Sequence, residues 1–476
     1  MIGGMRRTKI VATIGPASSS RAVLRQLFEA GLDVARVTLA HGTIDGQKAV
    51  VSTIREEADA AGRPVGILVD LPGPKVRTTP FSGEIRLQRD DRVTLLVGRT
   101  QPSTASTFVV DYPTLVEDLQ PGDVVGIGDG AVQLEVEVRG AASLSARVLH
   151  GGQLTGRKGF RIPTARLRAT VPTSEDLDLI EAFRGCPVDI LAVSFVRSAA
   201  DIRAVRQALG SDPPWIMAKI ETAAAVDDLA AVIEASDAIM VARGDLGTEL
   251  PIEDVPHLQK RIIHDTVRSG KPVLVATQML ESMIEAPAPT RAEATDVANA
   301  VLDQTSAVML SGETAIGHDP VAVVRTMARL IGRAEQELNP ARLQLFAFEK
   351  RQLSNPNVAI AHAAWHIAND LRPAAILCCT RTGSTARHMA SFRPLTALYG
   401  LTADRRAARQ LSLCWGVRPM LQPQGATSTE EVMRGAVEVA RKAGVATAGD
   451  LVVVLAGSPD AGPGHTDTIR VVTVGR

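Results

Sequence analysis

The sequence is poor in aromatic residues: 2 Tyr, 3 Trp and 9 Phe make up 3% of its 476 positions. Proteins that bind single-stranded nucleic acid stack bases on exposed aromatic side chains, and this chain has few to spare for that purpose. Its core must therefore be built from Val, Ala, Leu and Ile, a composition that suits parallel β-sheets.

Cysteine, net charge and long apolar runs are also scarce. The four cysteines form no CxxC pair, so the sequence signals neither a disulfide framework nor a thiolate zinc site. Lys and Arg number 52, as do Asp and Glu, which argues against a protein that coats nucleic acid or an anionic membrane. No apolar run approaches the length of a membrane span and no signal peptide is visible, so we predict a soluble cytoplasmic protein.

What the chain does contain is a regular alternation of strand-like and helix-like segments, an order typical of parallel strands joined by right-handed crossovers. The predicted strands are 9–14, 33–39, 65–69, 189–193, 215–220, 238–241, 272–276 and 307–310. The predicted helices are 21–30, 46–61, 174–182, 199–209, 223–233, 255–267, 291–302 and 321–337. Eight such units predict an α/β fold, a closed (β/α)8 TIM barrel.

The third unit is interrupted by a long run of alternating strand patterns, which predicts an inserted β-barrel domain. Loops at that end of a barrel surround the active site, so we expect the insertion to act as a lid. Thr173, with Asp176 three residues later, predicts the cap of the helix that follows the insertion. The predicted domains are a barrel (1–74 and 171–340), a lid (75–170) and an open-sheet α/β domain (341–476).

In a TIM barrel, catalytic groups lie at the carboxyl ends of the strands. The fifth strand ends with Lys219 and Glu221 on one face, and the sixth leads to Asp245. Two carboxylates there suit Mg²⁺ or Mn²⁺, although the pattern alone favours a structural salt bridge, the commoner use of such groups. We place Arg36 and Arg77 at the ends of the second and third strands, on the same rim. Three cations facing two carboxylates suggest phosphoryl transfer between anions.

Seven runs, spread over nearly the whole chain, resemble pyruvate kinase. They are TKIVATIGPAS (8–18), VDLPGPKVRT (69–78), MAKIE (217–221), IMVARGDLG (239–247), VATQMLESM (275–283), PTRAEATDVANAVLD (289–303) and MLSGETA (309–315). The resemblance implies that the barrel, insertion and carboxy-terminal region correspond to the family's A, B and C domains. It also implies glycolytic phosphoryl transfer from phosphoenolpyruvate to ADP, giving pyruvate and ATP, with Mg²⁺ or Mn²⁺ as cofactor.

The resemblance assigns roles to single residues at the strand ends. Glu221 and Asp245 match the family's divalent-metal ligands. Lys219 matches the lysine that contacts the moving phosphoryl group and stabilises the enolate, a role suited to a compact positive charge. Arg36 and Arg77 match rim arginines, with Arg36 directed at phosphate and Arg77 serving substrate and nucleotide.

Further roles fall on residues of the loops. Thr277 matches the residue that holds the substrate carboxylate and a proton path to the enolate carbon. Gly244 and Asp245 would offer backbone N–H groups to the same carboxylate. His41 matches the residue beside the nucleotide base, and Lys158 a lid lysine that reaches the phosphates. Both residues could instead have purely structural roles: Thr277 could cap a helix, and His41 could be a packed loop residue.

The chain departs from the family where many members bind potassium through N-x-S-H and D-T-K-G-P-E stretches. Here these read TLAH (38–41) and DLPGPK (70–75), so potassium ligands are lost and the glutamate has become Lys75. We infer that the Lys75 ammonium replaces potassium beside Asp70, as in a similar, potassium-independent subset of the family. The alternative is that Lys75 is a surface lysine.

The carboxy-terminal domain contains a run between a strand and a helix that resembles the family's effector loop, formed by Thr380, Arg381, Thr382, Gly383, Ser384 and Thr385. There, N–H groups and hydroxyls would wrap a sugar phosphate, unless Ser384 or Thr382 simply caps the helix. The loop 457–466 lacks obvious phosphate-binding cations, so fructose bisphosphate is not favoured over a sugar monophosphate, AMP or no effector. Family analogy suggests a homotetramer.

Two other readings of the sequence compete with an active pyruvate kinase. The departures at 38–41 and 70–75 fit a catalytically silent paralogue that binds metabolites and regulates. Retention of Lys219, Glu221, Asp245 and Thr277 argues against silence. A different barrel enzyme acting on phosphoenolpyruvate, such as a carboxylating enzyme or a mutase, fits the lid and the effector-type domain poorly.

Overall fold

The computed structural model describes residues 6–74, 76–128, 132–163, 166, 168, 170–339, 355–423, 425–458 and 464–475. Lys75 lies outside these residues, as does the predicted boundary between barrel and carboxy-terminal domain at 340–341. Within the described residues, no helix combines the length and apolar character needed to cross a bilayer.

Eight parallel strands of the described chain close a barrel, which confirms the predicted fold class. In chain order the barrel strands are Lys9–Thr13, Val34–Thr38, Gly66–Asp70, Ile190–Val193, Trp215–Ile220, Ala238–Ala242, Val273–Ala276 and Ala307–Leu310. Each pairs with its neighbours in this order, and the eighth returns to the first with Ala307 opposite Lys9. The strands are buried on both faces, which explains their continuous Val, Ile and Ala runs.

The helices around the barrel follow the predicted positions. They are Arg21–Ala30, Ile44–Ala60, Ser174–Ala182, Ala199–Leu209, Ala223–Asp227, Leu229–Ala235, Val255–Arg268, Arg291–Leu302 and Pro320–Gln336. The helix predicted at 223–233 is broken at Asp228, whose carboxylate accepts the N–H of Ala199 at the start of another helix. Sequence periodicity did not predict the short elements Arg243–Glu249, Glu281–Ile284 and Gly312–Ala315 after the last three barrel strands, because each spans too few residues to show it.

The chain returns from the lid to the barrel at the predicted helix cap. Thr173 Oγ1 accepts the N–H of Asp176 at 3.0 Å, and Asp176 Oδ2 accepts the N–H of Thr173 at 2.9 Å, forming a capping box. Asp176 Oδ1 also accepts the N–H of Gly73, which lies where the chain leaves the barrel. One carboxylate therefore ties together the two connections to the lid.

The lid is a separate β-domain with its own core. Its strands are Ile85–Arg86, Arg92–Val97, Thr107–Val110, Val124–Ile127, Val132–Arg139, Ser143–His150, Gln153–Leu154 and Phe160–Arg161, with a short helix Leu115–Asp118. Six of these strands form one sheet whose edges are Thr107–Val110 and Phe160–Arg161. Bridges from Arg77 to Gly159 and from Thr78 to Val110 link the two edges and give the sheet its barrel-like closure.

The carboxy-terminal domain is an open α/β sheet, as predicted. Its strands are Ala375–Cys379, Leu398–Thr402, Val417–Leu421, Leu451–Ala456 and Thr468–Thr473, and its helices are Pro356–Leu371, Ser384–Ser391, Arg405–Leu411 and Thr429–Lys442. The sequence analysis did not identify Val417–Leu421. Pro419 argues against a strand, but this one lies at the sheet edge, where proline is tolerated.

A buried ionic cluster attaches this domain to the amino-terminal end of the barrel. Asp189 precedes the fourth barrel strand, and its carboxylate accepts from Arg55 at 2.5 Å, from Arg409 at 2.7 Å and from the N–H of Ile67 at 2.9 Å. Gln410 donates to the Asp189 carbonyl at 3.0 Å. Arg409 and Gln410 belong to the carboxy-terminal domain, so the cluster fastens the two domains together.

Candidate active site

Charged side chains converge at the carboxyl ends of the barrel strands. Lys219 Nζ lies 3.4 Å from Glu221 Oε2 and 3.6 Å from Asp70 Oδ1, at the ends of the fifth and third strands. It also donates to Ser194 Oγ, after the fourth strand, at 2.6 Å. Asp70, Ser194 and Glu221 are buried. The predicted neighbours Lys219 and Glu221 are therefore brought together at the barrel mouth.

The surroundings of Lys219 keep its side chain charged. Burial lowers the pKa of the ammonium, but Asp70, Glu221 and Asp245 together outweigh that effect and raise the pKa above its ordinary value. Lys219 is therefore a permanent positive charge at neutral pH. A fixed cation in a water-poor site stabilises developing negative charge far better than one in solvent.

Glu221 is a buried carboxyl that can accept a further cation. Burial raises its pKa to about 7, with Lys219 opposing that rise and Asp245 adding to it. Oε1 accepts the N–H of Phe195 at 2.6 Å, whereas Oε2 is buried without a hydrogen bond among the described residues. The Lys219 ammonium lies 3.4 Å from this oxygen without forming a hydrogen bond to it, and hard divalent cations prefer carboxylate oxygens, so the site fits a metal ion.

Asp245 lies at the same mouth on the short helix Arg243–Glu249. Its carboxylate is 38% exposed, and Oδ1 accepts from Nη2 of Arg161 in the lid at 3.0 Å. Its charge contributes to the pKa shifts of both Lys219 and Glu221. The two predicted metal ligands thus act on one electrostatic site, and one of them is already paired with an arginine.

Arg36 is anchored by its neighbours at the rim. Its guanidinium donates to Asp70 Oδ2 from Nε at 2.8 Å, contacts the same oxygen from Nη2 at 2.7 Å, and donates to Thr13 Oγ1 at 2.8 Å. These contacts occupy three of its five N–H donors. Asp70 therefore links Arg36 and Lys219, the two cations that the sequence analysis placed closest to phosphate.

Arg77 and Lys158 lie side by side on the lid rather than at a strand end. Arg77 bridges to Gly159, and the N–H of Thr78 donates to the carbonyl of Lys158 at 2.9 Å. Both predicted residues are half-buried. His41 lies in an exposed loop after the second barrel strand, where its carbonyl accepts from Gln47 at 2.7 Å.

Thr277 follows the seventh barrel strand in a strained backbone conformation. Its φ is +71° and that of Gln278 is +54°, in the left-handed region that costs non-glycine residues free energy. Thr277 Oγ1 accepts the N–H of Gly244 at 2.8 Å, and Arg243 Nη2 donates to the Thr277 carbonyl at 2.6 Å. The hydroxyl therefore meets the start of a neighbouring helix, and the Gly244 N–H predicted for the substrate carboxylate is engaged by Thr277.

Leu71 and Thr38 are the described residues that show how the potassium-related region differs from that of many family members. Leu71 is 1% exposed, so an apolar side chain is buried where many family members carry threonine. Thr38 Oγ1 accepts the N–H of Ala40 at 3.4 Å. Lys75 lies outside the described residues.

The predicted effector loop borders a cavity of about 480 Å³ in the carboxy-terminal domain. Thr380, Arg381, Thr382 and Thr385 line it, together with residues that include Thr402, Gln422 and His465. Gly383, with φ +84°, precedes the helix Ser384–Ser391, and no side chain caps it. The alternative that Ser384 or Thr382 is the helix cap is therefore wrong.

The sequence analysis overlooked several residues of the mouth. Ser194 directly follows the fourth barrel strand, so the strand-end rule applied to its neighbours could have found it. Phe195 contributes only its backbone N–H, at φ +56°, which no residue type signals. Arg161 and Arg243 contact segments that are distant in the chain, so no local pattern could have identified them.

Comparison with known proteins agrees with this geometry. The family model described as pyruvate kinase, barrel domain, matches residues 5–324, and that described as pyruvate kinase, alpha/beta domain, matches residues 358–472.

Similar full-length proteins carry the same family name. Pyruvate kinase 2 of Synechocystis sp. is 43% identical, covering 98% of this chain and 79% of its own length. A pyruvate kinase of Sporosarcina psychrophila is 39% identical over 99% of this chain and 81% of its own length. One of Clostridium acetobutylicum is 36% identical over 99% of this chain and 100% of its own length. The chain therefore belongs to the pyruvate kinase family.

Proposed function

We propose that the chain transfers the phosphoryl group of phosphoenolpyruvate to ADP, forming pyruvate and ATP. The observation that carries this proposal is the ion-paired trio of Lys219, Glu221 and Asp70, in which the ammonium stays charged beside a buried carboxylate oxygen without a hydrogen bond. Such a site suits phosphoryl transfer between anions in general, and membership of the pyruvate kinase family favours this particular reaction.

Glu221 and Asp245 would hold the divalent cation, Mg²⁺ or Mn²⁺. Carboxylate oxygens are the ligands that these hard cations prefer, and Glu221 Oε2 is suited to one. When bound, the cation would neutralise oxygens of the phosphoryl group and of the substrate.

Lys219 and Arg36 would carry the charge of the phosphoryl transfer. As the bond between phosphorus and the enol oxygen breaks, an oxygen of the ADP β-phosphate forms the new bond to phosphorus. Lys219 would stabilise negative charge on the transferring group and then on the enolate. Arg36 would hold a phosphate oxygen with the N–H donors that Asp70 and Thr13 leave over.

Thr277 would orient the substrate and relay the proton that completes pyruvate. Because its hydroxyl accepts from Gly244, its own proton remains available for donation. The enolate carbon takes up one proton, through this hydroxyl or a water on it. The substrate carboxylate would be held by the backbone N–H of Asp245, and by that of Gly244 only if it exchanges the Thr277 hydroxyl for the substrate.

On the nucleotide side, we assign the ADP phosphates to Arg77 and Lys158 and the base to His41. The neighbouring positions of Arg77 and Lys158 on the lid support this assignment, since both would move with it. Lid closure would then bring cations to the phosphates and exclude water.

A coupled assay for pyruvate with phosphoenolpyruvate, ADP and Mg²⁺ tests the proposed function. We expect turnover that disappears when Mg²⁺ is chelated. No turnover from well-folded protein would contradict the proposal and favour the silent, metabolite-binding alternative.

We further propose that the enzyme does not need potassium, because Lys75 supplies the monovalent charge beside Asp70. The buried Leu71 supports this, since it offers no side-chain oxygen to an ion. We expect full activity in tetramethylammonium buffer free of K⁺ and Na⁺. A tenfold or larger stimulation by KCl would contradict the proposal.

Substitution of Lys75 separates replacement of the ion from a general charge effect. Lys75→Glu should cripple catalysis, and added potassium should restore it poorly because Ala40 and Leu71 cannot serve as ligands. Lys442→Glu, the same charge change on the distant helix Thr429–Lys442, should leave activity unchanged. Equal loss in both variants would refute a specific role for Lys75.

We also propose an effector site and a quaternary structure. The cavity beside residues 380–385 would bind a sugar monophosphate or AMP, if any effector acts here, and the enzyme would be a cytoplasmic homotetramer. The domain boundaries remain 1–74 with 171–340, 75–170 and 341–476. Isothermal titration with each ligand and sedimentation velocity test the effector and the tetramer.

A further inference from the structure

Arg161 is a lid residue that reaches the barrel mouth. It ends the lid strand Phe160–Arg161, and its Nη2 donates to Asp245 Oδ1 at 3.0 Å. Asp245 belongs to the short helix after the sixth barrel strand. The ion pair therefore joins two domains whose chain connections, near Gly73 and Asp176, lie elsewhere.

The surroundings of the Arg161 side chain also favour contact with an anion. The side chain is 22% exposed, and Nη1 is buried without a hydrogen-bond partner among the described residues. A buried guanidinium nitrogen is costly to leave without an acceptor. Arg161 is thus better suited to meeting an anion at the mouth than to an ordinary surface ion pair.

We propose that Arg161 is a latch: it holds the lid on the barrel through Asp245 in the metal-free enzyme and lets go when Asp245 binds the divalent cation. The proposal rests on the assignment of Asp245 as a metal ligand. Two cations on one carboxylate repel each other, so the guanidinium and the metal compete for Asp245. Once released, Arg161 can donate to an anionic group such as a nucleotide phosphate.

We expect the pair to be weak, because the Asp245 side chain is 38% exposed. Partly exposed ion pairs shift an equilibrium only a few-fold. A stronger pair would prevent the metal from binding Asp245. If the pair lowers metal affinity only a few-fold, the metal can still bind and release the lid.

The position of the lid can be measured without any turnover. Spin labels on V138C in the lid and I316C on the barrel, both exposed positions, report the distance between the domains; C186S removes a half-buried thiol. In metal-free protein, R161Q and D245N should each shift and broaden the distance distribution, and the double variant should go no further. Distributions identical to that of the unmutated enzyme would overturn the proposal.

Metal affinity supplies a second readout. In titrations of Mn²⁺ followed by electron paramagnetic resonance, without substrate, R161Q should bind Mn²⁺ about twofold to fivefold more tightly. R157Q is the matched control: Arg157 carries the same charge in the lid but pairs with Asp111 of the lid itself. Equal tightening in both variants, or weaker binding by R161Q, would overturn the latch.

These measurements are separate from those that test the proposed function. If D245N binds Mn²⁺ as the unmutated enzyme does, the metal assignment fails and the competition fails with it. Turnover of phosphoenolpyruvate by the unmutated enzyme, measured independently, decides the function whatever the lid does.

Discussion

The two ends of the barrel each bury a carboxylate, and they treat it in opposite ways. At the amino-terminal end, Asp189 is fully buried and accepts from two arginines and a backbone N–H. At the carboxyl end, Glu221 is fully buried too, yet Oε2 has no hydrogen bond among the described residues and lies 3.4 Å from the Lys219 ammonium.

The difference shows what each end contributes. Burial raises the pKa of both carboxyls, against the opposing effect of Arg55 on Asp189 and of Lys219 on Glu221. Asp189 is compensated within the chain and therefore serves the structure. Glu221 has an ion pair with Lys219 but one oxygen without a hydrogen bond among the described residues, a cost that a ligand-binding site bears and a structural one avoids.

The largest expected effect is on activity at the mouth. Glu221→Gln should lower kcat at least about 10³-fold, because it removes a proposed metal ligand worth several kcal/mol of transition-state stabilisation. Its thermal unfolding midpoint should not fall, because an incompletely hydrogen-bonded buried carboxyl is replaced while Asp70 still pairs with Lys219. A coupled assay measures kcat and calorimetry measures the unfolding midpoint on the same preparation. Activity within tenfold of that of the unmutated enzyme would contradict a catalytic role for Glu221.

At the opposite end, the expected effect is on stability. Asp189→Asn should lower the free energy of unfolding by about 3–5 kcal/mol, because it leaves Arg55 and Arg409 facing no carboxylate. The folded fraction should keep kcat within about twofold. Urea unfolding measures the loss, and a variant as stable as the unmutated enzyme would show that the cluster does not fasten the domains.

The shifted pKa of Glu221 predicts a pH effect confined to the mouth. A proton competes with the metal below a pKa of about 7, so metal affinity should fall as the pH falls through that value. At pH 6 binding of Mn²⁺ should be about tenfold weaker than at pH 8, with release of about one proton. An ordinary carboxyl, with its pKa near 4.5, would give a flat profile over this range; calorimetry in buffers of different ionisation enthalpy distinguishes the two.

The smallest expected effect tests whether burial determines how much an ion pair between the domains stabilises the protein. Arg406 of the carboxy-terminal domain pairs with Asp212 of the barrel at 2.9 Å, but Asp212 is 87% exposed. Asp212→Asn should therefore cost less than about 1 kcal/mol, although this pair also joins the two domains. A loss comparable to that of Asp189→Asn would show that location rather than burial sets the energy.

The sequence was informative where periodicity and strand ends carry the signal. The run at 215–220 matches the strand Trp215–Ile220, and Lys219 and Glu221 lie together because the strand alternates its faces. Pattern could not predict the break at Asp228 or the edge strand with Pro419, since each depends on a tertiary neighbour. The pairing of Arg161 with Asp245 depends on how the lid meets the barrel, which no local signal encodes.

The most direct test of the contrast between the ends is Mn²⁺ binding to Glu221→Gln, followed by electron paramagnetic resonance beside the unmutated enzyme. We predict about one tight site per chain in the unmutated enzyme. In the variant, affinity should fall at least about 100-fold while the unfolding midpoint is kept. Binding of Mn²⁺ by the variant with unchanged affinity would contradict the assignment of the mouth as a metal-dependent phosphoryl-transfer site.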